Sequence, residues 1–451
     1  MTNENSHHRV NRRAFLAAVP VIASSSVLAS GAEAQLAVSG GTPVRTTRLT
    51  TEYPGAQFYD DQERTELNQA YDSHSLFRFY GSGNPQKANN FEREMKTFMG
   101  TKYALAVTSG TAALHCAMTA LGVGPGDEVI LPAWTWHSGY MAVLMTGALP
   151  VFAEVDDSFG IDPADIEAKI TPNTKAIMVV HLFGAGCDMD RILPLARRHG
   201  IKVLEDVAQS AGGKHHGRRL GSLGDIGIYS FQLHKVITAG EGGAVVTNDP
   251  ILYERAIRFH DLGLIRPVHK EALGGVTNMP YFIGLNYRMN EMTGAVMRAQ
   301  LRKLDTIVSQ QRRGWQFVKE RVQELHGWKL RQTHDPEGDI GWTLNLIFKD
   351  KGIRDKFVAA MTAENVPMAA PSSATPLPPF PYIENKAVPH PAWPTFNSPR
   401  GREIRYGAQS CPRTLDLFNR AATLTIGPKF TQTDLKDIVA AIQKVHGALM
   451  A

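Results

Sequence analysis

The chain has little cysteine, little net charge and, past its first 34 residues, no long apolar run. Its three cysteines, Cys116, Cys187 and Cys411, lie far apart without metal-type spacing, so neither a disulfide framework nor a cysteine zinc site is implied. They read as buried or half-buried thiols. The formal charge is only +5 and the basic residues are scattered rather than gathered into a stripe, which gives nucleic-acid binding no support. No later segment reaches the roughly 20 apolar residues that a membrane span needs. Neither His7-His8 nor His215-His216 has a completing acid or cysteine set, so no metal site is expected.

What remains is a globular composition, 43% hydrophobic and 20% charged over 451 residues, enough to bury a full core in roughly two or three domains. The first 34 residues stand apart. Arg12-Arg13-Ala14-Phe15-Leu16 precede a mildly apolar run to about Ala29, and Ala32-Glu33-Ala34 follow. A charged region, an apolar region and a small-residue cleavage pattern in that order make an export signal. The paired arginines resemble a twin-arginine signal, which predicts the twin-arginine export machinery as a partner, cleavage after Ala34, and a periplasmic or secreted mature chain. Ser24-Ser25-Ser26 interrupt the run and weigh against a spanning helix.

A polar arm (35–75) with a helix-like stretch at 62–71 then leads to an amphipathic helix at 91–99, where Phe91, Met95 and Phe98 share a face. From there strands and helices alternate. Strands are expected at 103–108, 129–133, 150–155, 176–183, 201–206, 226–231 and 243–247, with helices at 112–121, 163–169 and 189–199. That rhythm predicts an α/β fold, a mostly parallel sheet between helices, in a large domain spanning 76–305. A smaller α+β C-terminal domain (306–451) is expected, joined by a helical stretch at 297–325 and holding a strand at 342–348 and a last helix at 435–449.

Four stretches carry chemistry. Ser109-Gly110-Thr111 stand between a strand and a helix start, where free backbone amides and the positive end of the helix dipole suit a phosphate. Ser and Thr are also ordinary helix caps, so this signal is weak alone. Asp206 ends the apolar segment IKVLED, and Lys235 follows the segment IGIYSF before a glycine-rich turn. Trp134 and Trp136 close another strand, at the sheet edge where open parallel sheets bind ligands.

Pyridoxal phosphate needs a lysine to condense with its aldehyde, an acid to keep its ring nitrogen protonated, a phosphate cradle and a flat partner. Lys235 fits the first role and the proton transfers that follow, and Asp206 the second. Ser109, Gly110, Thr111 and Ser230 fit the third, and Trp136 the fourth.

Five ordered motifs, SGTAAL at 109, PGDEVILPAWTW at 125, EDVAQS at 205, GDIGIYSFQLHK at 224 and GEGGAVVTND at 240, resemble the DegT/StrS family of sugar and cyclitol aminotransferases. The resemblance runs from about residue 36 to the C-terminus. It implies a fold-type I pyridoxal phosphate enzyme with Lys235, Asp206, Gln209, Ser230 and Trp136 at the cofactor. It also implies a homodimer, because the family's G-x-N-Y-R-M segment, here from Gly284 to Met289, places its asparagine, Asn286, at the phosphate of a neighbouring subunit's cofactor. The lysine at 235 disfavours the dehydratase relatives, which carry histidine there.

The segments SFQ followed by K, FRFYG and CPRTLDLF are similar to the branch holding scyllo-inosose aminotransferases and aminohydroxybenzoate synthase. That implies glutamine or glutamate as amino donor and a keto-sugar or keto-cyclitol as acceptor. Arg78, Tyr80 and Arg288 are the candidates for substrate contact. The Pro-rich segment 370–394 would line the entrance, with Tyr382, His390 or Trp393 near the acceptor. Other pyridoxal phosphate reactions, such as racemisation, elimination or dehydration, use the same lysine and acid. A catalytically silent binding protein on the same fold would have lost one of them.

Overall fold

The structure, a computed structural model, describes residues 35–81, 83–277, 279–371 and 375–450; the expected export signal lies outside them. A seven-stranded sheet forms its centre. Across that sheet the order is Tyr103–Val107, Gly243–Thr247, Ile226–Ser230, Lys202–Asp206, Thr174–Val180, Glu128–Pro132 and Leu149–Ala153. Neighbours are parallel except at Gly243–Thr247, which runs against both of its partners. No helix intervenes between Ser230 and Gly243, so the chain returns directly and must pair antiparallel.

The strands are nearly continuous apolar runs because helices cover both faces. Alternate residues divide between two cores. Leu105, Val107, Ile228 and Val245 join the helices Gly110–Ala120, His137–Met145 and Pro250–His260 on one side. Ala104, Ala106, Tyr229 and Val246 meet Phe91, Met95 and the helix Glu291–Val322 on the other.

Local chemistry fixes the helix starts. Asp60 and Glu63 form a reciprocal capping box for Asp61–Asp72. Asn290 accepts the Thr293 amide at 2.9 Å and so starts the long helix at Glu291, six residues ahead of the predicted start. That helix crosses from the large core to a second one around the sheet Trp328–Leu330, Thr343–Phe348 and Ala421–Thr425. Leu36 and Leu49 of the N-terminal arm are buried in this second core, and Glu364 accepts the amides of Ala37 and Val44. Residues 377–417 pack the other way: Leu377, Ile383, Tyr406, Cys411 and Leu417 belong to the large core, and Tyr406 donates to the Pro150 carbonyl at 2.7 Å. All three cysteines are buried as free thiols. Among the described residues no helix is long and apolar enough to cross a membrane.

Candidate active site

The parallel strands deliver their carboxyl ends to one edge of the sheet, and a cavity of about 680 Å³ opens there. Ser109, Gly110, Thr111, Trp136, Asp206, Gln209, Ser230 and Lys235 all line it.

Its floor is the start of the helix Gly110–Ala120. Ser109 caps that helix, its hydroxyl accepting the Ala112 amide at 3.1 Å. A methyl group on Gly110 would lie 2.6 Å from the Ser230 β-carbon, so only glycine lets the two turns close into a cradle. Gly243 is constrained for the same reason: its β-carbon would lie 2.3 Å from the Ser109 carbonyl oxygen, which brings the returning strand against the cradle. Free helix amides, a serine hydroxyl and a close glycine backbone form a phosphate-binding set.

Asp206 and its neighbour Glu205 point to opposite faces of their strand, and each has a different task. Glu205 is fully buried among the amides of Gly221, Leu223 and Gly224, with His181 Nε2 at 3.0 Å. Burial alone would raise its pKa, but His181 and those amides hold the carboxyl below its usual range. Cys187 donates its backbone N–H to His181 Nδ1, while Nε2 of the same ring faces Glu205. This buried set anchors the strand end that presents Asp206.

Asp206 accepts the Ala208 amide at 2.9 Å on Oδ1, while Oδ2 has no hydrogen-bond partner among the described residues. Burial raises its pKa, opposed by the Ala208 N–H and the charges of Lys235 and His181. A protonated ring nitrogen is the kind of partner this carboxylate lacks.

Lys235 rides on a loop whose backbone is closed on itself. Phe231 donates to Gly242, Leu233 to Gly240, Ala239 to Phe231, and the Thr238 hydroxyl to the Phe231 carbonyl, all between 2.8 and 3.1 Å. Gly240, at φ +82°, makes the turn. Val236 and Ile237 bury this loop in the core, which fixes the lysine's Cα. The amine makes no hydrogen bond or ion pair among the described residues, and burial lowers its pKa against the opposing pull of Asp206 and Glu241. A lysine short of partners in a desolvated cavity is neutral more often, and so more nucleophilic and basic, than one in water.

Trp136 is 53% exposed and caps the helix His137–Met145 at the cavity wall. Gln209 lies 4% exposed beside it and accepts the Phe183 amide. Further walls come from His234 beside Lys235 and from remote segments that carry no motif: Glu52 and Tyr53 of the N-terminal arm, Trp342, Thr343 and Thr425. Tyr53 and His234 meet edge to face at 4.5 Å.

The expected substrate residues are elsewhere. Arg78 is fully buried, paired with Glu92 at 2.7 Å and bonded to Asn89 and the Ala106 carbonyl. It is a core ion pair and does not reach the cavity. Arg288 joins Arg266 in neutralising the buried Asp261, at 2.5 and 2.6 Å. Tyr80 is 67% exposed and packs on Phe77, outside the cavity lining. Asn286 is exposed and likewise outside its own chain's cavity, on a segment bridged to the end of strand Tyr103–Val107.

Among its described residues the Pro-rich segment gives the cavity only its first, Ala370. Tyr382 bonds His137, Trp393 donates to the Leu144 carbonyl, and His390 accepts the Ala392 amide. Thr375–Pro376 pairs with Trp134–Thr135, so the segment buttresses the turn that carries Trp136. Folding also brings an acid to one histidine pair that sequence spacing did not show: Asp190 meets His215 and His216, 25 and 26 residues away in sequence.

Comparison with known proteins fits this geometry. Residues 59–443 match the DegT/DnrJ/EryC1/StrS aminotransferase family. The chain is 34% identical to the GDP-perosamine synthase of Escherichia coli O157:H7, over 77% of this chain and 94% of that protein. It is 36% identical to the L-glutamine:2-deoxy-scyllo-inosose aminotransferase of Streptoalloteichus tenebrarius, over 60% of this chain and 64% of that one. The crystal structure of 3-amino-5-hydroxybenzoic acid synthase superposes with a TM-score of 0.72 at 29% identity, covering 89% of this chain and all of that one.

Proposed function

Since the chain belongs to the DegT/DnrJ/EryC1/StrS aminotransferase family and is an aminotransferase dependent on pyridoxal phosphate, we propose that it carries an amino group from glutamine or glutamate to a keto-cyclitol or free keto-sugar. One observation carries the catalytic part: Lys235 and Asp206 face a single cavity floored by a helix N-terminus and Ser230. When bound, the cofactor supplies an electron-withdrawing ring that stabilises negative charge at the donor's α-carbon. Lys235 Nζ would take the proton from that carbon and return it one position away, and the downward shift of its pKa by burial favours the neutral amine that this needs. Asp206 holds the ring nitrogen's proton by its opposite charge. Ser109, Gly110, Thr111 and Ser230 would hold the phosphate, Trp136 would cover the ring, and Gln209 would pack against it.

The acceptor class is supported by the charge of the walls. Glu52, Asp206 and Glu241 line the cavity, while among its described lining residues the only basic side chains are Lys235 and His234. A nucleotide diphosphate favours arginine or lysine contacts, whereas a neutral ring of hydroxyls suits carboxylates and threonines. The enzyme converted to its amine-bearing form by glutamine, then offered scyllo-inosose, a free keto-hexose and a nucleotide-linked keto-sugar, distinguishes these. Reoxidation by the uncharged ketones at least tenfold faster is expected; a preference for the nucleotide sugar would overturn this acceptor class.

A homodimer is part of the same proposal. Tyr281, Ile283 and Leu285 are 82%, 90% and 41% exposed beside Asn286, and Leu262 and Leu264 extend this apolar surface. Covering it with a second copy would remove it from water and bring Asn286 toward the partner. Export by the twin-arginine route, proposed from residues 12–34, would place this dimer in the periplasm. Fractionation followed by sedimentation checks both. A periplasmic particle of two chains lacking residues 1–34 is expected, and a full-length cytosolic monomer would contradict both.

A further inference from the structure

Away from the cofactor cavity, a short hairpin pairs Lys214–His215 with Arg218–Arg219, and its turn carries the second of two adjacent histidines. His216 sits at φ +48°, a left-handed conformation that a residue with a β-carbon adopts at a cost. Its amide is held by Asp335 at 2.8 Å. This turn folds the two imidazoles toward the same point, with ring centroids 4.3 Å apart. Asp190, at the start of the helix Met189–His199, meets both: Oδ1 lies 3.1 Å from His215 Nε2 and Oδ2 lies 2.9 Å from His216 Nε2. One ligand atom from each residue falls within 4.8 Å of the others.

The geometry points to a binding site for a divalent transition-metal ion of the zinc type, held by His215 Nε2, His216 Nε2 and the Asp190 carboxylate. Around a tetrahedral zinc with bonds of ~2.05 Å, neighbouring ligand atoms stand about 3.3 Å apart, close to the 3.1 and 2.9 Å between the Asp190 oxygens and the two Nε2 atoms. Two imidazoles and a carboxylate suit zinc, copper or nickel rather than calcium or magnesium, which prefer all-oxygen shells. The ion would take the lone pair of each Nε2: a neutral ring would move its Nε2 proton to Nδ1, and a protonated ring would release one proton to solvent. His215 Nδ1 is buried without a partner, so binding orphans no further group there. Asp190 and His216 are each over 60% exposed, which leaves water a route to the fourth position.

The position gives such an ion a consequence. Asp190 follows the loop that leaves the strand Thr174–Val180 and carries Phe183, and His215 follows the loop that leaves Lys202–Asp206 and carries Gln209. Both loops wall the cofactor cavity. An ion joining them would tie adjacent strand ends together without touching the cofactor.

Zinc alone, titrated into the full-length holoenzyme by calorimetry with a thermal melt alongside, tests this. The background is a variant with His7→Ala and His8→Ala, because that second histidine pair could bind metal on its own. One saturable site per chain is expected in both wild type and this background, with a rise in Tm on binding. Asp190→Ala and His216→Asn, separately, should weaken zinc at least tenfold and abolish the rise, while keeping the metal-free Tm and the visible spectrum of the cofactor. Absence of saturable binding, or affinity and Tm response unchanged in both variants, would overturn the site.

Discussion

Replacing Lys235 with alanine should lower kcat by at least about 10⁴-fold and remove the absorbance of lysine-bound pyridoxal phosphate, with the melting transition of the apoprotein left in place. The size follows from two roles lost together, the covalent attachment and the proton transfer at the donor's α-carbon. The stability expectation follows from what the amine does not do: no hydrogen bond or ion pair holds it among the described residues. Its loop is fixed instead by backbone bonds around Phe231, Thr238 and Gly240 and by the buried Val236 and Ile237, none of which the substitution touches. A Lys235→Ala protein with an unchanged visible spectrum would refute the assignment.

Arg78→Ala should act in the opposite way, costing about 3–5 kcal/mol of stability while leaving the acceptor KM near wild type in whatever protein folds. The substitution strips Glu92, which is buried, of its guanidinium and leaves it the Ala106 amide at 2.7 Å and the His269 ring at 3.5 Å. Burial works to raise the Glu92 pKa, but Arg78 and His269 bring it down to about 2. The sign is that of a depressed carboxyl. In wild type its contribution is complete above the unfolded value of about 4.3 and fades as pH falls toward 2. In the variant, a protonated Glu92 no longer needs the guanidinium. The gap between the two proteins, measured by urea unfolding, should therefore be widest near pH 7 and narrow below about pH 4. A stable Arg78→Ala enzyme with a tenfold higher acceptor KM would return Arg78 to the substrate.

These two residues show where sequence reading succeeds and where it stops. Lys235, Asp206 and the Ser109 turn were legible because each ends a strand of one parallel sheet, and topology alone brings such ends to a common edge. Arg78 reads as a substrate contact because its segment FRFYG is similar to the scyllo-inosose aminotransferase branch. Its true partner is 14 residues on, on one face of a helix, and nothing in that spacing shows which face turns inward. Glu52, Tyr53, Trp342 and Thr425 reach the cavity only through the packing of an N-terminal arm and a C-terminal sheet, so no local pattern marks them. Asp190 was invisible beside His215 for the same reason. Gly243 reads as the first residue of a strand after a glycine-rich turn, and its closer constraint, the Ser109 carbonyl, belongs to a strand pairing formed across the sheet.

The central claim is that this cavity moves an amino group. Its most direct measurement is the absorption spectrum of the purified holoenzyme as glutamine, glutamate or alanine is added in the absence of any ketone. Loss of the lysine-bound pyridoxal band and growth of the pyridoxamine band, with keto acid released in equal amount, is the predicted result. A spectrum that stays unchanged with every amino donor would contradict it.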